Sequence, residues 1–127
     1  MGVGGPESAS GGRLSVEVRD HAGTPVVAPA GELDHDTADQ LREVLERTEE
    51  SSAGPHLVVD CSGLEFCDST GLNVLLGARL RAEARGGAVH LVAMRPAVAR
   101  VFDVTGAAAV FGVHATLDEA LGSVSPS

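Results

Sequence analysis

The sequence predicts a single α/β domain, a mixed sheet of about five strands with about four helices, and three observations predict it. Leu14, Val16 and Val18 alternate with Ser15, Glu17 and Arg19, the period-two signature of a half-buried strand. The later strand-like runs, Leu57–Val59 and Ala88–Ala93, are apolar except for His90, as strands covered on both faces are. Between and after these runs lie segments whose apolar residues recur at helical spacing, so the order reads ββαβαβαβα. Helices of about three turns crossing between strands give parallel, right-handed units, and the first two strands give an antiparallel hairpin. At 127 residues the chain has the length of one domain and can bury a core without disulfides or metal.

In chain order, residues 1–12 (MGVGGPESASGG) are rich in Gly, Ser and Pro and are expected to form a flexible tail, with the domain spanning 13–122 and a second tail at 123–127. The first strand starts after Arg13 and turns at Asp20–Gly23 into a second, TPVVAPA (24–30). Pro25 and Pro29 cannot donate to a ladder, which predicts an edge strand or outward placement of both. A helix follows with Ala38, Leu41, Val44 and Leu45 on its apolar face. Asp36 with Asp39 is its expected cap, so Asp34 and His35 fall in the preceding loop and Asp34 is a spare acid. Glu49 and Glu50 lie unfavourably for the helix dipole at its C-terminal end.

The stretch Leu57–Arg79 is central: strand, turn, helix. Asp60–Gly63 break the strand, and Leu64 and Phe66 are expected to return apolar side chains to the core. Asp68 or Ser69 then caps a helix carrying Leu72, Leu75, Leu76 and Leu80 on one face, which puts Ser69 at the surface beside backbone donors. Gly71, lacking a Cβ, is expected to let a partner's backbone approach Ser69 closely. Arg85–Gly87 end this helix, AVHLVA (88–93) is the next strand, Pro96 opens a helix that runs to Thr105–Gly106, and 108–113 form a last short strand. Thr116 and Glu119 have capping-box spacing for a final helical turn or two.

Composition excludes several classes of function. Nine basic residues, all arginine, against eighteen acidic ones leave a net charge of −9, a field that repels nucleic acid and anionic membrane. Trp and Tyr are absent, so there are no such aromatics for stacking bases; the all-Arg basic set reflects GC-rich coding. The N-terminus has no basic region followed by an apolar one and no apolar run is long enough to span a membrane, from which a cytoplasmic location is expected. Cys61 and Cys67 fit neither a disulfide framework nor a zinc site. The five histidines form no paired ligand motif, so no metal is expected, and His90 reads as a strand residue with a satisfied ring. The Asp34–His35–Asp36 cluster lacks a nucleophile in its own segment. DSTG (68–71) is similar to the aspartic-protease triplet but carries one hydroxyl residue too many and has no second copy. No GxSxG elbow, Walker loop or GxGxxG occurs, and neither a catalytic residue nor a cofactor is expected.

Three segments, GELDHDTADQLR (31–42), LVVDCSGLEFCDSTGLNVLL (57–76) and VFDVTG (101–106), in this order and spacing resemble the STAS domain of bacterial anti-sigma factor antagonists over about residues 13–122. The resemblance implies a STAS-like fold and a non-catalytic protein that regulates transcription by partner switching. Its partners would be an anti-sigma factor with serine kinase activity and a PP2C-like phosphatase. The family's phosphorylated serine falls on Ser69 and its loop acid on Asp34, while His35, Asp68, Thr70, Gly71, Leu72 and Asn73 surround these positions as expected partner-binding residues. Cys67 stands where the family more often has a larger apolar residue. Self-association, if any, would be a weak homodimer. Two other roles fit the same residues: a STAS interaction module that is never phosphorylated, and a small-ligand or nucleotide sensor holding an anion at the helix N-terminus.

Overall fold

Alternation along the first long strand turns Leu14 and Val16 into the core and leaves Glu17 and Arg19 outside, so β2 (Leu14–His21) is half-buried as its pattern requires. It pairs antiparallel with β3 (Thr24–Leu33) through eight residue pairs, joined by a turn in which Ala22 and Gly23 both have positive φ. The computed structural model describes the backbone of residues 9–11 and the whole of residues 13–124. Ala9–Gly11, expected within a tail, instead add β1, antiparallel to β2; the rest of that expected tail, residues 1–8 and 12, lies outside the described residues. Residues 125–127 of the second expected tail also lie outside them, while Ser123 and Val124 belong to the last helix.

The remaining elements are α1 (Ala38–Ser51), β4 (Leu57–Asp60), β5 (Gly63–Cys67), α2 (Ser69–Ala84), β6 (Val89–Val92), α3 (Pro96–Thr105), a 3-10 turn (Ala107–Val110), β7 (Gly112–His114) and α4 (Leu117–Val124). The mixed α/β architecture with four helices is as expected. The sheet runs β1-β2-β3-β4-β6-β7, with β5 pairing β3 beyond the end of β4; all pairings from β3 onward are parallel. It therefore has seven strands. The two extra ones are β1 and β5, both in stretches whose Gly and Ser content reads as turn or tail.

Where an edge strand or outward placement of both prolines was expected, β3 is central with Pro25 and Pro29 buried, and it tolerates them for a local reason. It pairs β4 only at Val26 and Val27 and β5 only from Ala30, so Pro25 precedes the first parallel ladder and Pro29 falls in the gap between the two.

One face of the sheet packs on α1, α2 and α3 through Leu41, Val44, Leu45, Leu72, Leu75, Val98 and Phe102; Phe102 meets Phe111 edge to face at 5.7 Å. The other face, with Val26, Val58 and Val92, is covered by Ala120, Leu117 and Leu121 of α4. The core face of α2 departs from expectation: Leu80 is 60% exposed, and Ala78 and Ala82 complete the buried stripe with Leu72 and Leu75. Arg81 explains one of the two acids closing α1, since its guanidinium grips Glu49 through two hydrogen bonds of 2.6 and 3.1 Å and ties α1 to α2. Glu119 and Thr116 close the expected capping arrangement, with Glu119 N–H on Thr116 Oγ1 (3.2 Å) and Ala115 N–H on Glu119 Oε1 (3.1 Å).

His90 corrects the expectation of a satisfied ring. His56, His90 and His114 stack along the sheet with centroids 5.6 and 5.4 Å apart. His90 Nδ1 is 3.3 Å from His114 Nε2, while His90 Nε2 and His56 Nδ1 are buried with no hydrogen-bond partner. Burial, then the neighbouring His114 and His56 rings, push the His90 pKa down, so the ring is held neutral.

Candidate functional site

The parallel ladder between β3 and β5 ends with Leu33 beside Cys67, and Asp68 N–H extends it to Leu33 carbonyl (3.1 Å). The residues that leave these two strands, Asp34–Asp36 from β3 and Asp68–Thr70 from β5, therefore emerge side by side at the C-terminal end of the parallel strands. Asp68 locks the two together. Its Oδ1 accepts from Gly71 N–H (2.9 Å) as the N-cap of α2, and its Oδ2 accepts from His35 N–H (3.1 Å). With Asp68 serving as cap, Ser69 is the first residue of α2; Ser69, Thr70 and Asn73 are all exposed.

Gly71 and Leu72 do not share that surface. Both are buried, and a Cβ on Gly71 would lie 2.5 Å from Leu33 Cγ and 3.1 Å from Leu33 carbonyl oxygen. The glycine is needed for the close seating of α2 on the end of β3, not for a partner's approach, and Leu72 is 4% exposed. Both therefore position the site from beneath.

Asp34 is not the spare acid the sequence suggests. It is buried, and its Oδ1 accepts from Asp36 N–H (3.0 Å) and Thr37 N–H (3.2 Å), the pattern of a helix cap; Asp36 supplies no such bond. Thr37, the residue before α1, completes the knot: its hydroxyl accepts from Asp34 N–H (2.9 Å) and donates to Glu32 carbonyl (2.8 Å). Arg13, at the start of β2, closes the outside. Its guanidinium bonds both oxygens of Asp34, Glu32 at 2.9 Å and Asp36 at 3.1 Å. Desolvation alone would raise the Asp34 pKa, but Arg13 and the Asp36 and Thr37 amides outweigh it and hold the carboxyl below its ordinary range. His35 is exposed beside this knot, its Nε2 3.3 Å from Asp36.

Of the residues singled out from sequence, Asp34, His35, Asp68, Ser69, Thr70 and Asn73 are thus gathered at one end of the sheet. Sequence reasoning missed Thr37 and Arg13. The spacing of Thr37, a hydroxyl three residues after Asp34, could have revealed it; nothing in the sequence marks Arg13, twenty-one residues away. Among the described residues no three His, Cys, Asp or Glu side chains are placed to hold a metal ion. The arrangement offers a hydroxyl at a helix N-terminus, where a phosphate is favoured by first-turn amides and the helix dipole, in an acidic surround.

The model of the STAS domain matches residues 15–120. An anti-sigma F factor antagonist of Paenibacillus polymyxa is 33% identical over 93 residues, covering 73% of this chain and 80% of that protein. The crystal structure of an anti-sigma factor antagonist from Mycobacterium paratuberculosis is similar at 33% identity and a TM-score of 0.78, covering 96% of this chain and 98% of its own. The Bacillus cell-fate determinant SpoIIAA in its phosphorylated form is similar at 27% identity and a TM-score of 0.67, covering 87% and 99%. Among the described residues no helix is long and apolar enough to cross a membrane.

Proposed function

We propose a regulatory role for this chain from the premise that it belongs to the STAS domain family of anti-sigma factor antagonists. Unphosphorylated, it binds an anti-sigma factor that is also a serine kinase and so frees a sigma factor for transcription. Phosphorylated on Ser69 it lets go, and a PP2C-like phosphatase restores it. The chain acts by binding and not by catalysis, in the cytoplasm, with no nucleic acid or membrane as partner.

The observation that supports this best is the division of labour at the start of α2. Asp68 supplies the cap, so the Ser69 hydroxyl is presented at an exposed first position without being needed to hold the helix. Existence of a phosphorylated structure in a relative of 27% identity supports a modification in the same fold. A free small anion at this helix would meet the Asp68 carboxylate, which already holds the Gly71 amide, whereas a phosphate on Ser69 is held there covalently, which favours modification over the ligand-sensor role.

The test is to incubate the chain with each of its host's anti-sigma factor kinases and ATP, resolve the products by phosphate-affinity electrophoresis, and locate the group by peptide mass spectrometry. One phosphate on Ser69 is expected, persisting in Thr70→Ala and lost in Ser69→Ala. Phosphate on Thr70, or no modification by any of those kinases, would contradict the assignment.

A further inference from the structure

Period-two alternation fails in β5. Leu64 and Cys67 point into the core, while the two residues between them, Glu65 and Phe66, are both exposed. The register gives the cause: Gly31 pairs with Leu64 and Glu32 with Phe66, so Glu65 is an extra residue on β5 and the strand carries a β-bulge. Opposite the bulge, Gly31 has φ +108°, and a Cβ there would lie 2.0 Å from Arg13 carbonyl oxygen, so the local backbone depends on glycine. The consequence is that Phe66 is re-aimed outward, 49% exposed. The chain has three Phe and no Trp or Tyr; Phe102 and Phe111 are buried against each other, and Phe66 is the exposed one. It sits two residues before the Asp68 cap and three before Ser69, beside the exposed Glu65 and across the ladder from Glu32.

We infer that Phe66 is the aromatic anchor of the partner interface, entering an apolar socket on the anti-sigma factor whose rim carries Arg or Lys. This rests on the proposed binding of such a factor. Large aromatic side chains that lose the rest of their water on association are the usual source of concentrated interface energy. The commitment to a basic rim follows from charge: Glu65 adjoins Phe66 with no basic partner among the described residues, Asp68 lies at the same end of the sheet, Glu32, Asp34 and Asp36 share the single Arg13 and leave that end net acidic, and the chain carries a net charge of −9.

The test is a binding titration of the full chain against the anti-sigma factor that binds the wild type in a screen of the host's own set, with circular dichroism of each variant. Phe66→Ala is expected to keep the wild-type spectrum and lose at least thirtyfold in affinity. Phe66→Leu should recover part of that, and Val104→Ala, a 78% exposed apolar control on α3, should bind as wild type. Glu65→Gln should slow association and flatten its dependence on salt. Phe66→Ala and Phe66→Leu both binding within threefold of wild type would overturn the anchor while leaving the proposed function standing. A wild-type chain that binds none of the host's anti-sigma factors would overturn both.

Discussion

Replacing Gly71 by alanine puts a strong helix former into a helix, yet it should destabilise the domain, and the geometry sets the size of the effect. The added Cβ would stand 2.5 Å from Leu33 Cγ, 2.9 Å from Leu33 Cδ2 and 3.1 Å from Leu33 carbonyl oxygen. Carbon atoms rest about 3.5–4.0 Å apart, so roughly 1 Å must be found. Leu33 is fully buried and cannot swing aside, and its carbonyl carries the ladder bond to Asp68 N–H. Overpacking of this kind costs about 1–3 kcal/mol, against a gain of about 0.5–1 kcal/mol for removing a glycine from a helix. The difference spans about 0–2.5 kcal/mol, and a 2.5 Å approach to a side chain that cannot move puts it in the upper half, about 1–2.5 kcal/mol, which at about 4 °C per kcal/mol for a domain of this size lowers the thermal midpoint by about 4–10 °C. Gly77→Ala in the same helix is the internal control. Its Cβ meets only the end of the Arg81 side chain, at 3.4 Å, so it should raise the midpoint by about 2–4 °C. The two variants, melted side by side, must move in opposite directions. Gly71→Ala as stable as Gly77→Ala would show that α2 is not seated on Leu33 as described.

Three further outcomes follow from the titrating groups. Asp34 has a folded-state pKa below its unfolded value, so its contribution is present above the ordinary carboxylate range, near pH 4, and is lost as pH falls through the lowered value; Asp34→Asn should show a shallower loss of urea resistance in that window, and an unchanged slope would deny Asp34 this role. His90 is also lowered, but as a base: the domain should be at full stability above about pH 6.5 and weaken as the pH falls below it. His90→Gln should flatten the melting profile between pH 7.5 and 5.5, whereas a wild-type profile already flat there would mean that folding does not lower the His90 pKa. Burial, with smaller help from Asp60 and Asp68 respectively, pushes Cys61 and Cys67 up to about 12, so native protein at pH 8 should resist a thiol reagent that labels both in urea; rapid native labelling would place the thiols at the surface.

Long periodic segments were legible because their pattern and their burial have the same cause. The α1 stripe of Ala38, Leu41, Val44 and Leu45, the buried β6 and Pro96 at the start of α3 sit where their spacing puts them. Local chemistry near Ser69 was legible too, since an N-cap is a contact between neighbours in sequence. What escaped depends on residues far apart. Arg13 meets Asp34 only because β2 pairs along its whole length with β3, and the role of Gly71 appears only when α2 is laid on Leu33. Phe66 reads as core from its apolar side chain after a turn, and the bulge that turns it outward is a register event that belongs to two strands at once. Asp34 was misjudged for the opposite reason: the nearer pair, Asp36 and Asp39, also has capping spacing, and only the structure shows which acid reaches the amides.

The switch at Ser69 is the central claim, and a binding titration of wild type, phosphorylated chain, Ser69→Asp and Ser69→Ala against the cognate anti-sigma factor with ADP tests it most directly. With Asp68 as the cap, Ser69→Ala should stay within about 0.5 kcal/mol of wild-type stability and bind as wild type. Phosphate adds about −1.5 to −2 charges at a helix N-terminus that favours them, so the modified chain stays folded. About 6 Å from one partner carboxylate, that charge would cost roughly 1–5 kcal/mol across plausible effective dielectrics, or about fivefold to a few thousandfold in affinity. The account predicts that the phosphorylated chain and Ser69→Asp keep the wild-type circular dichroism spectrum and lose the anti-sigma factor. Tight binding by the folded, phosphorylated chain would contradict it.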